Sequence, residues 1–138
     1  RHIGIVVNDL ELTETFWTEV LEFEIKSKQI EEGVFIDKLL CGEKLSLTTV
    51  KLFKNSGAQI ELIKYNNICV EENWKGSQFK TGLTHVALEV NDIKKLHDKL
   101  QNKGYRFFNP PQVSPDGKAI VAYCIAVENL LLELVELV

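Results

Sequence analysis

His2-Ile3-Gly4-Ile5-Val6-Val7-Asn8-Asp9-Leu10 recurs along this chain as His85-Val86-Ala87-Leu88-Glu89-Val90-Asn91-Asp92-Ile93. Both stretches open on a histidine, run through largely apolar residues and end on Asn-Asp. An apolar run of this length suits a strand covered on both sides, and an aspartate directly after it can cap a helix. Each half also closes on a glutamate set in an apolar strand, Ile60-Glu61-Leu62 in the first and Leu132-Glu133-Leu134 in the second. The chain therefore reads as two copies of one unit, each with a histidine at its start and a glutamate near its end.

Between those ends the two copies share an order of elements. In the first, Phe16, Trp17, Val20 and Leu21 fall at helical spacing. The apolar segments Phe23-Glu24-Ile25 and Val34-Phe35-Ile36 follow, and a strand from Leu45 to Leu52 returns through the turn Asn55-Ser56-Gly57 as Ala58 to Ile63. In the second, a strand from Leu83 to Val90 leads to a helix capped by Asp92, with Ile93, Leu96 and Leu100 on one face and Gly104 as its stop. Tyr105 to Phe108, Lys118 to Ile125 and Leu130 to Val138 complete the set, with turns at Pro110-Pro111 and Pro115-Asp116-Gly117. Each unit is predicted as βαβββ, spanning residues 1–64 and 82–138 of a single α+β domain. The polar stretch 65–81 joins them; unstructured connections of this length act as linkers, lids or binding loops. Its Ile68, Trp74 and Phe79 are available to pack it down or to touch a ligand, and a packed linker is the favoured reading.

Composition narrows the class. At 138 residues, 45% hydrophobic and 26% charged, the chain suits one globular, soluble domain. Its net charge of −4 argues against nucleic acid or an anionic membrane as partner, since neither polyanion would be attracted. Cys41, Cys69 and Cys124 are odd in number and lack CxxC spacing, which predicts no disulfide framework and fits a reducing, cytoplasmic setting. No apolar run approaches the roughly 18 residues of a membrane span, and no secretory signal pattern is expected.

The chemistry lies in the histidines and glutamates. Strand alternation puts His2, Gly4 and Val6 on one face, and His85, Ala87 and Glu89 on the matching face of the second unit. A single histidine or a single strand glutamate is ordinarily a structural or surface residue. Two of each at matched positions of a repeat form a candidate metal set: His2, Glu61, His85 and Glu133. Nitrogen and carboxylate donors together suit a divalent Zn, Ni, Co, Mn or Fe, and two carboxylates neutralise its charge. Glu89 is a weaker candidate for the cleft, and Glu136, of opposite parity to Glu133, is expected to point away. His97 is expected on the polar side of its helix. Phe53, Phe107, Phe108 and Tyr123 are expected in the core or around an apolar pocket.

With two βαβββ units, His-x-x-x-x-Val-x-Asp openings and Glu-Leu strand ends, the whole chain resembles the vicinal oxygen chelate superfamily, which includes glyoxalase I, bleomycin-resistance proteins and extradiol dioxygenases. The resemblance implies a curved mixed sheet forming a half-barrel around a metal cleft, and a homodimer. It also implies one divalent metal held by His2, Glu61, His85 and Glu133, a set closest to glyoxalase I. The implied activity is that of a lyase or isomerase acting on a small molecule with vicinal oxygens. Glu133 or Glu61 would remove a proton next to a carbonyl, with stabilisation of the enediolate. Two alternatives stand beside it: an enzyme like methylmalonyl-CoA epimerase, whose relatives normally carry glutamine where Glu61 stands, and a non-catalytic, resistance-type binder. Where members commonly have Asp-Pro-x-Gly-Asn before the last strand, this chain has Ala126-Val127-Glu128-Asn129-Leu130. Arg1 and Arg106 are its only arginines, so lysines would have to take the role of those that hold glutathione.

Overall fold

In the computed structural model, the carboxylates of Asp9 and Asp92 each accept a hydrogen bond from the backbone N–H three residues on, Leu12 and Lys95, both at 2.9 Å. Each thereby starts a helix just after a strand, as the repeated Asn-Asp predicts. The structure describes residues 1–71, 78–79 and 81–138, and the chain divides into two compact units, Arg1–Glu72 and Asn73–Val138. Both are α+β, each with a mixed sheet that does not close into a barrel.

The first unit runs β1 (Ile3–Val6), α1 (Leu10–Thr15, continued by a π turn to Val20), β2 (Glu24–Glu32), α2 (Val34–Leu40), β3 (Ser46–Phe53) and β4 (Gln59–Tyr65). Its sheet has the order β1-β4-β3-β2, with β1 parallel to β4 and the other pairs antiparallel. Val50 pairs with Leu62 and Leu52 with Ile60, so these four share one face of the sheet, and all are buried. Phe16, Trp17, Val20 and Leu21, on the helical segment, are buried too, and α1 packs on β4. On the other face, Ile36 of α2 joins Leu45 and Leu47 in a small apolar cluster with Ile63 and Tyr65.

The second unit runs β5 (Val86–Glu89), α3 (Ile93–Asn102), β6 (Arg106–Phe107), β7 (Gln112–Val113), β8 (Ala119–Ile125) and β9 (Leu131–Leu137). The order is β5-β9-β8-β6, with β7 also on β8 and β5 again parallel to its neighbour. Val86, Leu88, Ala122, Cys124, Leu132 and Leu134 are buried, as are Ile93 and Leu100 of α3. Gly104 ends α3 at φ +89°, a left-handed conformation that costs glycine little. Glu128 and Asn129, at φ +56° and +59°, make the turn into β9.

Four expectations need correction. β1 is not covered on both sides, since Ile3 and Val6 are exposed. Val34-Phe35-Ile36 is not extended; it opens α2. Asp37 in that helix accepts from the backbone N–H groups of Lys44 (3.0 Å) and Leu45 (2.7 Å), tying down the return to β3. β2 is nine residues long, far beyond the apolar Phe23-Glu24-Ile25. His97 is buried rather than on the polar side of α3, its ring 4.4 Å from that of Phe107. Of the connecting stretch, Asn66 and Asn67 are bound to the start of β3 through Thr48, Ser46 and Lys44. Ile68 and Phe79 are exposed, and Trp74 lies outside the described residues. Among the described residues no helix is long and apolar enough to cross a membrane.

Candidate metal centre

His2 and His85 each sit one residue ahead of the first strand of their unit. Parallel pairing sets Gly4 opposite Glu61 and Ala87 opposite Glu133. A histidine two residues earlier shares that face, and because the residue between histidine and glutamate in the register is small, the imidazole can lean along the sheet to the carboxylate. His2 Nε2 lies 2.8 Å from Glu61 Oε2, and His85 Nε2 lies 3.1 Å from Glu133 Oε2. The glutamates are the more enclosed partners, with side chains 12% and 23% exposed against 41% and 30% for the histidines. Within each unit the structure thus brings the expected histidine to the expected glutamate.

The next strand over adds a different group in each unit. Lys51 of β3 is directly across from Glu61, its Nζ 3.5 Å from Oε1, so the carboxylate is shared between an ammonium on one oxygen and an imidazole on the other. Tyr123 of β8 is directly across from Glu133 in the ladder. Burial, and secondarily Glu133, push the Tyr123 hydroxyl above the usual phenol range, so it remains a donor. Its ring meets His85 edge-on at 5.3 Å and stacks on Phe108 at 6.1 Å. Thr84 Oγ1 lies 2.8 Å from His85 Nδ1, an outer partner of the kind that fixes the orientation of a ligating ring.

The donor chemistry fits a divalent ion: each pair presents one imidazole nitrogen and one carboxylate oxygen to each other on one side of its sheet. Among the described residues no group of three or more His, Cys, Asp or Glu side chains gathers to hold an ion. Glu89 is exposed at the end of β5. Glu136 accepts from the backbone N–H of Ile93 at 2.8 Å, bracing the start of α3 away from the pair, as its parity requires. In the first unit a cleft of about 350 Å³ opens beside His2, with Lys26, Ser27, Lys51 and Gln59 as its other polar walls.

Lys51 escaped the sequence reading and Tyr123 was expected only in the core or around an apolar pocket, although the signal for their places beside the glutamates was there. The turn at Asn55-Ser56-Gly57 pairs Phe53 with Gln59, and counting back along both strands brings Lys51 to Glu61.

Residues 1–123 match the sequence pattern of the Glyoxalase/Bleomycin resistance protein/Dioxygenase superfamily. No curated protein matches the chain. Among solved structures, a glyoxalase family protein from Bacillus cereus is 18% identical with a TM-score of 0.88, covering 99% of this chain and 92% of its own. The trypanothione-dependent glyoxalase I of Leishmania major is 20% identical, TM-score 0.64, over 98% of this chain and 84% of its own. A fosfomycin resistance protein from Listeria monocytogenes is 16% identical, TM-score 0.62, over 99% and 90%. At such identities the likeness speaks for the fold, and together with the match over most of the sequence it leads to one conclusion: the chain belongs to the glyoxalase/bleomycin resistance/dioxygenase superfamily.

Proposed function

We propose that this protein is a metal-dependent lyase or isomerase of the glyoxalase I type, removing a proton next to a carbonyl of a small substrate. Proteins of the superfamily commonly bind a divalent metal and a small molecule, and often form dimers. In this reading His2 and Glu61 from one unit, and His85 and Glu133 from the other, are ligands of one divalent ion of the Zn, Ni, Co, Mn or Fe class. The observation that carries it is the repetition of one His–Glu pair, at 2.8 and 3.1 Å, at equivalent register in both sheets. When bound, the ion supplies Lewis-acid stabilisation of negative charge on vicinal oxygens.

The chain's own residues divide the remaining work. Glu61 is held between His2 and Lys51 and is the more enclosed carboxylate, which suits it to stay in place. Glu133 is more exposed and has a neutral phenol beside it, which suits it to swing to the substrate, take the proton and return it at the neighbouring carbon. Thr84 and Tyr123 hold the His85 ring on its Nδ1 and edge sides. A cytoplasmic homodimer is the form this reading expects.

The test combines metal content with isotope exchange. Protein purified without added metal is expected to carry a divalent ion by elemental analysis. The loaded protein is expected to exchange solvent deuterium into methylglyoxal hemithioacetal, and Glu133→Gln to lose that exchange while retaining metal. Exchange into a methylmalonyl thioester alone would move the assignment to an epimerase. Full activity in Glu133→Gln would discard Glu133 as the base, and metal-free protein that binds a ligand without exchange would be a binder.

A further inference from the structure

In a chain with 20 acidic and 16 basic side chains, the cleft of the first unit runs against the average: none of its lining residues is acidic, and two are lysines. Lys26 arrives there through an irregularity. β2 pairs Ile25 with Leu52 and Ser27 with Lys51, so Lys26 is an extra residue with no partner across the ladder. Such bulges re-aim a side chain and are concentrated beside active sites. Lys51 is balanced in part by Glu61 at 3.5 Å, whereas Lys26 makes no ion pair with a described residue. That contrasts with its neighbour Lys28, whose Nζ is 2.6 Å from Glu14. Among the described residues the cleft thus holds one lysine without an acidic partner, with the Ser27 hydroxyl and the Gln59 amide as neutral donors.

We propose that this cleft is an oxyanion subsite, in which Lys26 and Lys51 hold a carboxylate or phosphoryl group of a small acidic substrate. Its role in catalysis rests on the reading of the His2–Glu61 pair as part of the reaction centre, because His2 lines the same cleft. At about 350 Å³ the space is at the small end of ligand pockets, which run from about 300 to 1,000 Å³. It suits a compact acid in which the acidic group lies close to the reacting carbon. The bulge accounts for the place of Lys26 in the cleft: as an extra residue outside the ladder, it is not bound to strand alternation.

Backbone amide shifts of isotope-labelled, chelator-treated protein, titrated separately with inorganic phosphate and with acetate, test this. At least one anion is expected to shift the amides of Ser27 and Lys51 saturably, and the better of the two identifies the acidic group. Lys26→Gln is expected to weaken that affinity about tenfold, the loss of one charge-assisted hydrogen bond. Lys28→Gln, an equal change in net charge outside the cleft, should leave it unaltered. No saturable shift with either anion, or equal weakening by both variants, overturns the proposal. A parallel titration with cobalt reads the metal separately: wild-type protein that binds phosphate or acetate in the cleft but takes up no cobalt refutes the metal reading alone.

Discussion

At the scale of single residues, the two units show how one register position can be used in two ways. Lys51 and Tyr123 each stand across from a glutamate, yet one brings a cation and the other a neutral donor. Cys124 illustrates the opposite case, a titratable group with no charged role. It is fully buried in the second unit, and burial pushes its thiol from 9.0 up to about 12. Cys41 and Cys69 are exposed. Two of the three thiols are therefore expected to react with a disulfide reagent in the folded protein, and all three only after denaturation. The linkage has a definite sign. Above pH 9 the unfolded chain loses this proton while the folded one keeps it, so the stability it contributes is complete below pH 9 and falls as pH rises toward about 12. Cys124→Ala should flatten that alkaline fall in urea unfolding measured across the window; an unchanged slope would show that the thiol is not its source. The histidine and glutamate positions were legible because parity alone fixes which side chains share a face. Lys51 was not, because its place depends on strand register, which follows only once the hairpin turn is counted through. His97 was misjudged for a related reason: Ile93, His97 and Leu100 lie on one helical face, but charged neighbours in sequence disguised it.

At the scale of elements, sequence signals succeeded where a segment has a continuous buried face and failed where it buries little. α1 and α3 announce themselves through an aspartate cap and an apolar stripe, and β3 and β4 through alternation around a turn. β2 is an edge strand whose residues are mostly exposed, so it carries no apolar alternation to read. Its charged, bulged edge also resists pairing with another chain. α2 buries only Ile36 and leaves Val34, Phe35 and Leu39 exposed, so three apolar residues in a row carried no helical period. The caps give a direct test of what holds the legible elements. Removing the Asp92 carboxylate leaves the Lys95 N–H of α3 without its acceptor, and such losses cost about 1 kcal/mol. Asp92→Ala is expected to lower unfolding free energy by about that much, while Asp92→Asn, which can still accept, should be close to neutral. Equal effects of the two would mean that charge at the helix end, rather than the hydrogen bond, is what matters.

At the scale of the whole molecule, the duplication is the feature with the longest reach. Each unit builds the same parallel pairing of first and last strands, sets a small residue opposite the glutamate, and brings a histidine to it from just ahead of the first strand. A repeat of this kind is open to two chemistries. Either each pair binds an ion on its own, or the pairs are halves of one ligand set. Two side-chain donors leave most of a divalent ion's coordination to water, whereas zinc sites usually take at least three protein ligands; the second arrangement is therefore the one that can bind tightly. Cobalt titrated into chelator-treated protein, with bound metal counted per chain, separates them. A shared ion predicts one equivalent in the wild type and loss of tight binding in His2→Ala and in His85→Ala alike. Independent pairs predict two equivalents in the wild type and one left in each variant, an outcome that would dissolve the four-ligand site while leaving each His–Glu contact where it is.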